Sequence, residues 1–303
     1  MRDSSLADLV TKVPYSCDIA TEQHKMKRRT AFLMPVYNPT HDDLARTVGS
    51  LLAQTESADI VIVDDGSRMA IGEMLAPHES IVVLRLDRNQ GITAALNHGL
   101  EYIIRNGYEF VARMDCGDIC AAERIARQEV YMDAHPGVDL LGSFSDIVDE
   151  HGNHLFFEGT SGGRVAIGRK LQDNAAFKHP TFFFRTSWVE KCGGYSTDFP
   201  HAEDYEFMLR AYTKGNIDCL DDVLVIYEKN SGSISSKNRG AQLWSRLRIQ
   251  LKYLKPSSIP AYAGLARTIV TLLVPARVWA RLSQFYWGRT SERDAVTKMR
   301  LSR

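Results

Sequence analysis

A chain of 303 residues with 44% hydrophobic and 24% charged residues can bury one large core or two modest ones, which excludes disorder as its default state. Its net charge is zero, yet residues 237–303 carry fourteen Lys or Arg against only Glu292 and Asp294, so the tail holds +12 and residues 1–236 hold −12. Five cysteines (Cys17, Cys116, Cys120, Cys192, Cys219) without paired CxxC spacing read as reduced cytosolic thiols; there is no signal-peptide core and no run of the roughly 20 apolar residues that a spanning helix needs.

Residues 1–29 end in the basic run Lys25–Met26–Lys27–Arg28–Arg29, show no clear period, and are expected to form an arm. Short, partly β-branched apolar runs follow at Ala31–Val36, Ile60–Val63, Ile81–Leu86 and Phe110–Ala112, the pattern of buried strands. Helical patterns separate them at Asp42–Gln54, Met69–Ala76 and Ile92–Ile104, and Glu123–His135 follows the fourth strand. This alternation predicts an α/β fold around a parallel sheet with right-handed crossovers. Val138–Asp149 and the segment after Gly152–Asn153 read as strands joined by a tight turn, which makes the sheet mixed. Residues 180–184 and 222–227 add two strands, with the helix Asp204–Thr213 between them. Beyond Ser231–Gly232–Ser233 the pattern is helical, and the shift in composition and charge sets a boundary near residue 236. The expected organisation is an arm at 1–29, a main domain at 30–236 and a basic amphipathic helical region at 237–303.

In open α/β sheets ligands sit beyond the carboxyl ends of the strands, so polar clusters directly after strands matter most. Four occur here. Met34–Pro35–Val36–Tyr37–Asn38 offers a rigid proline and an aromatic ring for a flat base, although a turn with a buried tyrosine accounts for it better when taken alone. Asp64–Asp65–Gly66–Ser67 sets two carboxylates side by side, which need donors or a cation nearby; an N-cap with an Asp-Gly turn explains it equally well. Asn89–Gln90–Gly91 places open amides at a helix N-terminus, a natural place for phosphate or ribose. Met114–Asp115–Cys116–Gly117–Asp118 holds carboxylates spaced to bind a divalent cation, with helix capping by Asp118 as the alternative. No G-x-G-x-x-G or P-loop pattern follows any strand, and the histidines lack metal-ligand spacing.

Together these clusters resemble glycosyltransferase family 2, over roughly residues 30–230. The resemblance implies a GT-A-type fold: a mixed, mostly parallel sheet flanked by helices, here with a helical C-terminal extension. It also implies a glycosyltransferase of the hexosyl-transferring class. Pro35, Tyr37, Asp65, Asn89 and Asp115 would then bind the nucleotide, and Asp115 with Asp118 would hold Mn or Mg. The family's later Glu-Asp pair matches Glu203–Asp204, with Asp204 as general base, while His179, His201 and Gly193–Gly194–Tyr195 flank the acceptor side. Two positions depart from the family: Gly117 replaces a common second aspartate, and Leu96 replaces an arginine near the diphosphate. Phosphate neutralisation then falls to metal, helix amides, Arg88 or Arg113.

The residues fit this chemistry on their own account. An acceptor hydroxyl must lose its proton as it attacks the anomeric carbon, and a single carboxylate base suffices for an inverting displacement. The expected donor is a UDP-sugar, with Asp65 accepting from the base N3–H; a thymidine nucleotide, which presents the same edge, is the alternative. The expected acceptor is a hydroxyl of a glycan or lipid-linked oligosaccharide in surface polysaccharide synthesis, with no role for nucleic acid. No Q-x-x-R-W motif points to a processive synthase. The rival readings are a catalytically weak nucleotide-sugar-binding protein, suggested by Gly117 and Leu96, and a sugar nucleotidyltransferase, whose glycine-rich first loop Met34–Asn38 lacks.

In the tail, Leu265, Ile269, Leu272, Leu273, Val278, Trp279, Leu282, Phe285, Tyr286 and Trp287 are interleaved with Arg267, Arg277, Arg281 and Arg289, and Pro275 divides the pattern. Aromatic and basic residues together predict peripheral binding to an anionic membrane surface, on its cytoplasmic face. A packed subdomain or an oligomer contact is the alternative.

Overall fold

The computed structural model describes residues 28–229, 238–254 and 258–274. Most of the expected arm, and the tail beyond Val274 with its Pro275 break and the stretch Val278–Arg289, lie outside the described residues.

The central strand β1 (Thr30–Val36) pairs in parallel with β2 (Asp59–Asp64) and β4 (Phe110–Arg113), and β2 pairs in parallel with β3 (Ile81–Arg85). All seven residues of β1 are buried, as a strand covered on both faces requires. Its side chains alternate between two cores. Ala31 and Leu33 pack beneath α3 (Ile92–Arg105), whereas Phe32, Met34 and Val36 face α1 (His41–Leu52) and α4 (Arg124–Ala134). Helix α1 begins where Thr40 caps it, its hydroxyl accepting from Asp43 N, with Asp42 and Asp43 in the first turn.

At β4 the sheet changes direction. On its far side β4 pairs antiparallel with β8 (Phe183–Arg185), which in turn pairs antiparallel with β6 (Leu140–Val148). β6 then runs parallel to the long β9 (Ile217–Glu228), and β5 (Ile119–Cys120) and β7 (His154–Glu158) close the remaining edges. The nine strands form one mixed sheet in the order β3-β2-β1-β4-β8-β6-β9-β5, with β7 off the path on β6.

Three details differ from the sequence pattern. Met69–Ala76 forms only one helical turn, α2 (Ile71–Met74), because Ala70 offers no side-chain cap and Leu75 is already extended ahead of Pro77. Residues 179–181 make a 3-10 turn around Pro180 instead of strand. β9 starts at Ile217 because its partner Leu140 holds it there. Helices α5 (Gly163–Leu171) and α6 (Thr186–Cys192) escape the pattern altogether; α5 carries Gly163 and Gly168, and α6 is too short to show a period.

After α7 (Glu203–Lys214) and β9, two helices, α8 (Arg239–Lys252) and α9 (Ile259–Leu273), dock on the end of α5. The post they grip is Gln172–Asp173. Gln172 accepts from Ser258 Oγ at 2.9 Å, and Asp173 pairs with Arg246 and Arg267. Tyr253 donates to the buried Glu206 at 2.7 Å, and Arg248 donates to the Asp198 carbonyl at 2.9 Å. The described basic residues of this region are therefore largely engaged in holding the pair of helices to the main domain, a role the charge count alone does not reveal.

Gly264 is where α9 comes closest, since a Cβ there would lie 2.0 Å from the Gln172 carbonyl oxygen. Gly264→Ala should therefore loosen α9 by about 1–3 kcal/mol, the usual cost of overpacking. The expected result is a lower thermal midpoint and faster proteolysis within α9, while Gly240→Ala, whose Cβ meets open space, stays near the parent. Equal behaviour of the two variants would contradict this packing.

Candidate active site

The ends of β1, β2 and β3 are laced together by the acids at positions 64 and 65. Asp64 is fully buried and accepts from Ser67 N at 2.8 Å, Ile71 N at 3.2 Å and Arg85 Nη1 at 2.7 Å. Asp65 accepts from the amides of Gln90 at 2.7 Å and Gly91 at 2.9 Å, so it ties the β3 loop to β2 at the start of α3. The donors that two adjacent carboxylates require are thus supplied by the protein itself. Asn38 completes the lacing: its N–H donates to Ser67 Oγ and its side chain accepts from Arg68 N, both at 2.9 Å. Pro35 is buried within β1, Tyr37 is half exposed at the strand's end, and Asn89 is exposed beside Gln90. Pro35 and Tyr37 are neighbours in the chain, but only Tyr37 presents its side chain to solvent.

The loop after β4 is fixed from α1. Thr47, buried, accepts from Gly117 N and donates to the Asp118 carbonyl, both at 2.9 Å. Gly117 has φ +109, a conformation an aspartate would hold only with strain, which gives the departure at this position a backbone cause. Leu96 is fully buried in the core beneath the sheet, where an arginine would need a buried partner. Of the two bases considered for phosphate, Arg88 is exposed and Arg113 is only 1% exposed. Arg113 forms an ion pair with the half-buried Asp115, and its Nε and Nη1 find no hydrogen-bond partner among the described residues. Arg124, also buried, donates to the Arg113 carbonyl at 3.0 Å and the Phe182 carbonyl at 3.2 Å, locking the seam between β4 and the 3-10 turn.

Burial pushes the Asp118 carboxyl well above the usual range, the Asp115 charge adds to this, and Arg113 opposes it. Asp118 Oδ1 accepts from Glu228 N at 3.3 Å, while its buried Oδ2 has no partner among the described residues. Those residues contain no group of three or more metal-ligating side chains. The donor set offered to a divalent ion is therefore Asp115 and Asp118, one or two carboxylates completed by substrate phosphate, which suits Mg or Mn. Cys116, between them, has its thiol pushed up to about 12 by burial and is inert as a nucleophile.

Across the cleft, α7 presents Glu203 and Asp204 in its first turn. Burial and then the Asp204 charge push the Glu203 carboxyl up to about 7, and its Oε2 lacks a partner among the described residues. Burial also raises Asp204, opposed by a bond from Tyr205 N at 2.7 Å and by the charges of Arg113 and Lys178. His201 stands just before them with φ +63, an unusual backbone state for a side chain other than glycine. His179 is buried, and its Nε2 meets the Tyr195 hydroxyl at 2.9 Å. Burial, reinforced by Arg113, keeps the ring neutral, so His179 supports the floor of the cleft from beneath. Tyr195 is itself clamped by Asn97, whose side chain makes two bonds of 2.8 and 2.9 Å to its backbone.

The structure therefore brings Asp115, Asp118, Glu203 and Asp204 around one buried guanidinium, and joins Asp65 to the 90–91 loop along the same sheet edge. Sequence reasoning did not find Thr47, Arg124 or Lys178 in their structural roles; each acts through contacts between distant segments.

Its family relationship makes this chain a glycosyltransferase. The model of the Glycosyl transferase family 2 matches residues 31–193, and the chain belongs to that family. It is 34% identical over 233 residues to the amylovoran biosynthesis glycosyltransferase AmsE of Erwinia amylovora, covering 74% of this chain and 84% of that protein. Among solved structures, S. aureus TarS 1-349 in complex with UDP-GlcNAc superposes with a TM-score of 0.60 at 20% identity, over 80% of this chain and 71% of that one. The mannosyltransferase PcManGT from Pyrobaculum calidifontis, in complex with GDP-Man and Mn2+, gives 0.56 at 15% identity, over 93% and 79%. At these identities the structural matches establish the GT-A-type fold.

The raised Glu203 carboxyl makes stability depend on pH. Its folded pKa, about 7, lies above the ordinary 4.5, so the folded state holds the proton more tightly. The stability it contributes is complete below about pH 4.5 and is lost as pH rises through about 7. Glu203→Gln removes that loss. Relative to the parent, the variant should gain about 1–3 kcal/mol between pH 5 and pH 8 in urea denaturation; an identical difference at both values would contradict the assignment.

Proposed function

We propose that this glycosyltransferase moves a single sugar from a UDP-sugar to a hydroxyl of a glycan or lipid-linked oligosaccharide in surface polysaccharide synthesis, with inversion. The observation that carries this is the convergence of donor-side Asp115 and Asp118 with Glu203 and Asp204 around Arg113. Asp204 is half-buried and its affinity for a proton is raised, which suits a general base working near neutral pH. The acceptor oxygen forms its bond to the anomeric carbon and gives its proton to Asp204. The bond from that carbon to the diphosphate breaks, and its electron pair leaves with the phosphate oxygen. Tyr37 stacks on the base, and Asp65 accepts from its N3–H with the lone pairs left by Gln90 and Gly91. The AmsE resemblance supports the polysaccharide setting, and the UDP-GlcNAc complex of TarS is consistent with a uridine donor.

A divalent cation held by Asp115 and Asp118 would neutralise charge on the diphosphate. The buried Asp118 Oδ2, without a partner among the described residues, is the atom such an ion would use.

Peripheral membrane binding is proposed from the outer face of α8 and α9. Trp244, Leu251, Ile259, Tyr262, Ile269, Val270 and Leu273 are all exposed there. Because Arg246, Arg248, Lys252 and Arg267 are engaged with the main domain, the electrostatic part rests on basic residues beyond Val274. Among the described residues no helix is long and apolar enough to cross a membrane.

Asp204→Asn should fold and bind UDP yet transfer about 10²–10⁴-fold more slowly at saturating acceptor; near-parental turnover would remove the base role. Excess EDTA should depress transfer by the parent, and full turnover in EDTA would remove the metal alone. On anionic vesicles the intact chain should float in a salt-sensitive manner, whereas a form ending at residue 258 should not. Equal flotation of the two would favour a purely packed subdomain.

A further inference from the structure

A second cation, Lys178, stands at the mouth of the cleft. Its ammonium lies 3.1 Å from Glu158 Oε2 at the end of β7 and 4.9 Å from the centre of the Tyr227 ring on β9. The next residue of β9, Glu228, donates its N–H to Asp118 Oδ1. The backbone at Lys178 is equally constrained, its carbonyl accepting from Thr181 N at 3.0 Å and Thr181 Oγ1 at 2.7 Å. Buried His179 follows directly and is bonded to Tyr195. Lys178 is thus anchored at its main chain, while its side chain, 31% exposed, lies over Tyr227, the neighbour of the residue whose N–H holds Asp118. Its charge opposes the raised proton affinity that burial imposes on both.

Among the described residues, Arg113 and Lys178 are the cations that act on Asp118 and Asp204, and each has a carboxylate partner, Asp115 and Glu158. Arg113 is buried and paired with Asp115, whereas Lys178 is partly exposed and so, among the described residues, can turn toward an arriving anion. A lysine suits this use: its ammonium is compact and carries three donors, of which Glu158 takes one, and its flexible stem lets the head swing.

We propose that Lys178 meets the departing diphosphate of the donor, with Glu158 holding the ammonium in place between turnovers. The inference rests on the transferase reading above. As the bond between the anomeric carbon and the phosphate oxygen breaks, its electron pair moves to that oxygen; the acceptor proton goes to Asp204, and Lys178 keeps its own. Its contribution is electrostatic, strongest where charge develops in a site that excludes water.

Lys178→Met and Lys178→Arg test this by three measurements: UDP against uridine affinity by calorimetry, donor hydrolysis without acceptor, and acceptor KM in transfer. Lys178→Met should weaken UDP binding but leave uridine binding unchanged, and should slow hydrolysis and transfer by about 10²-fold. Lys178→Arg, which keeps the charge, should recover part of each, and it carries the test if the methionine variant does not fold. Parental UDP affinity and hydrolysis in Lys178→Met would overturn the proposal. A raised acceptor KM with unchanged hydrolysis would also overturn it, by placing the phosphate on the acceptor. If the parent protein acted on no sugar nucleotide, the transferase reading would fail, while the comparison of UDP with uridine would still judge Lys178.

Discussion

A guanidinium with 1% of its surface exposed, at the end of β4, is the constraint around which the cleft is arranged. Arg113 balances acids contributed by two distant parts of the chain, Asp115 and Asp118 on one side and Glu203 and Asp204 on the other. A buried charge is tolerated only with a partner, and here burial works against the arginine's charge while Asp115, Tyr195 and Asp118 together more than offset it. The same charge keeps His179 neutral and restrains the upward shifts of Asp118, Glu203 and Asp204. The acids of the 115–118 loop and those of α7 are therefore electrostatically one system, and the protonation of each depends on the others.

The sheet explains why these groups meet. β4 is the seam between a parallel half, where crossovers deliver the loops at 64–67 and 89–91 to one edge, and an antiparallel half entered through β8. The 3-10 turn at 179–181 lies against the end of β4, its Phe182 carbonyl accepting from Arg113 N at 2.8 Å and also from Arg124. That one crossing sets Lys178 and His179 beside the 113–118 loop. On the outer side, Arg210 donates to the carbonyls of Gly193 and Gly194 at 2.6 Å, and its partner Glu206 receives Tyr253. The helix that carries Asp204 is thus braced by the C-terminal pair of helices through Tyr253 and Glu206.

Much of this was legible in the sequence where the signal is local. Continuous apolar runs marked β1 and β2, helical periodicity marked α1 and α3, and acids or amides after strands marked the loops at 64–67, 89–91 and 115–118. The family resemblance supplied Glu203 and Asp204, which no spacing rule singles out. What the sequence hid depends on pairing between remote segments. Thr47 looks like any helix residue until it is seen to bond both Gly117 and Asp118, and Asn97 until it clamps Tyr195. Arg113 read as a cation free for phosphate because burial is invisible in a single chain of letters. Part of the tail's charge is likewise answered within the fold, since Arg246 and Arg267 pair with Asp173, more than seventy residues earlier.

At the end of β2, Asp65 is held by Gln90 and Gly91 with accepting capacity left over, which the proposed UDP donor would use. Calorimetry of UDP and N3-methyl-UDP on the parent and on Asp65→Ala separates recognition from loop support. The account predicts that the parent prefers UDP by about 1–3 kcal/mol, the cost of an unmet buried hydrogen bond, and that Asp65→Ala loses the preference. Equal affinity of the parent for both ligands, or a preference that survives in Asp65→Ala, would contradict it.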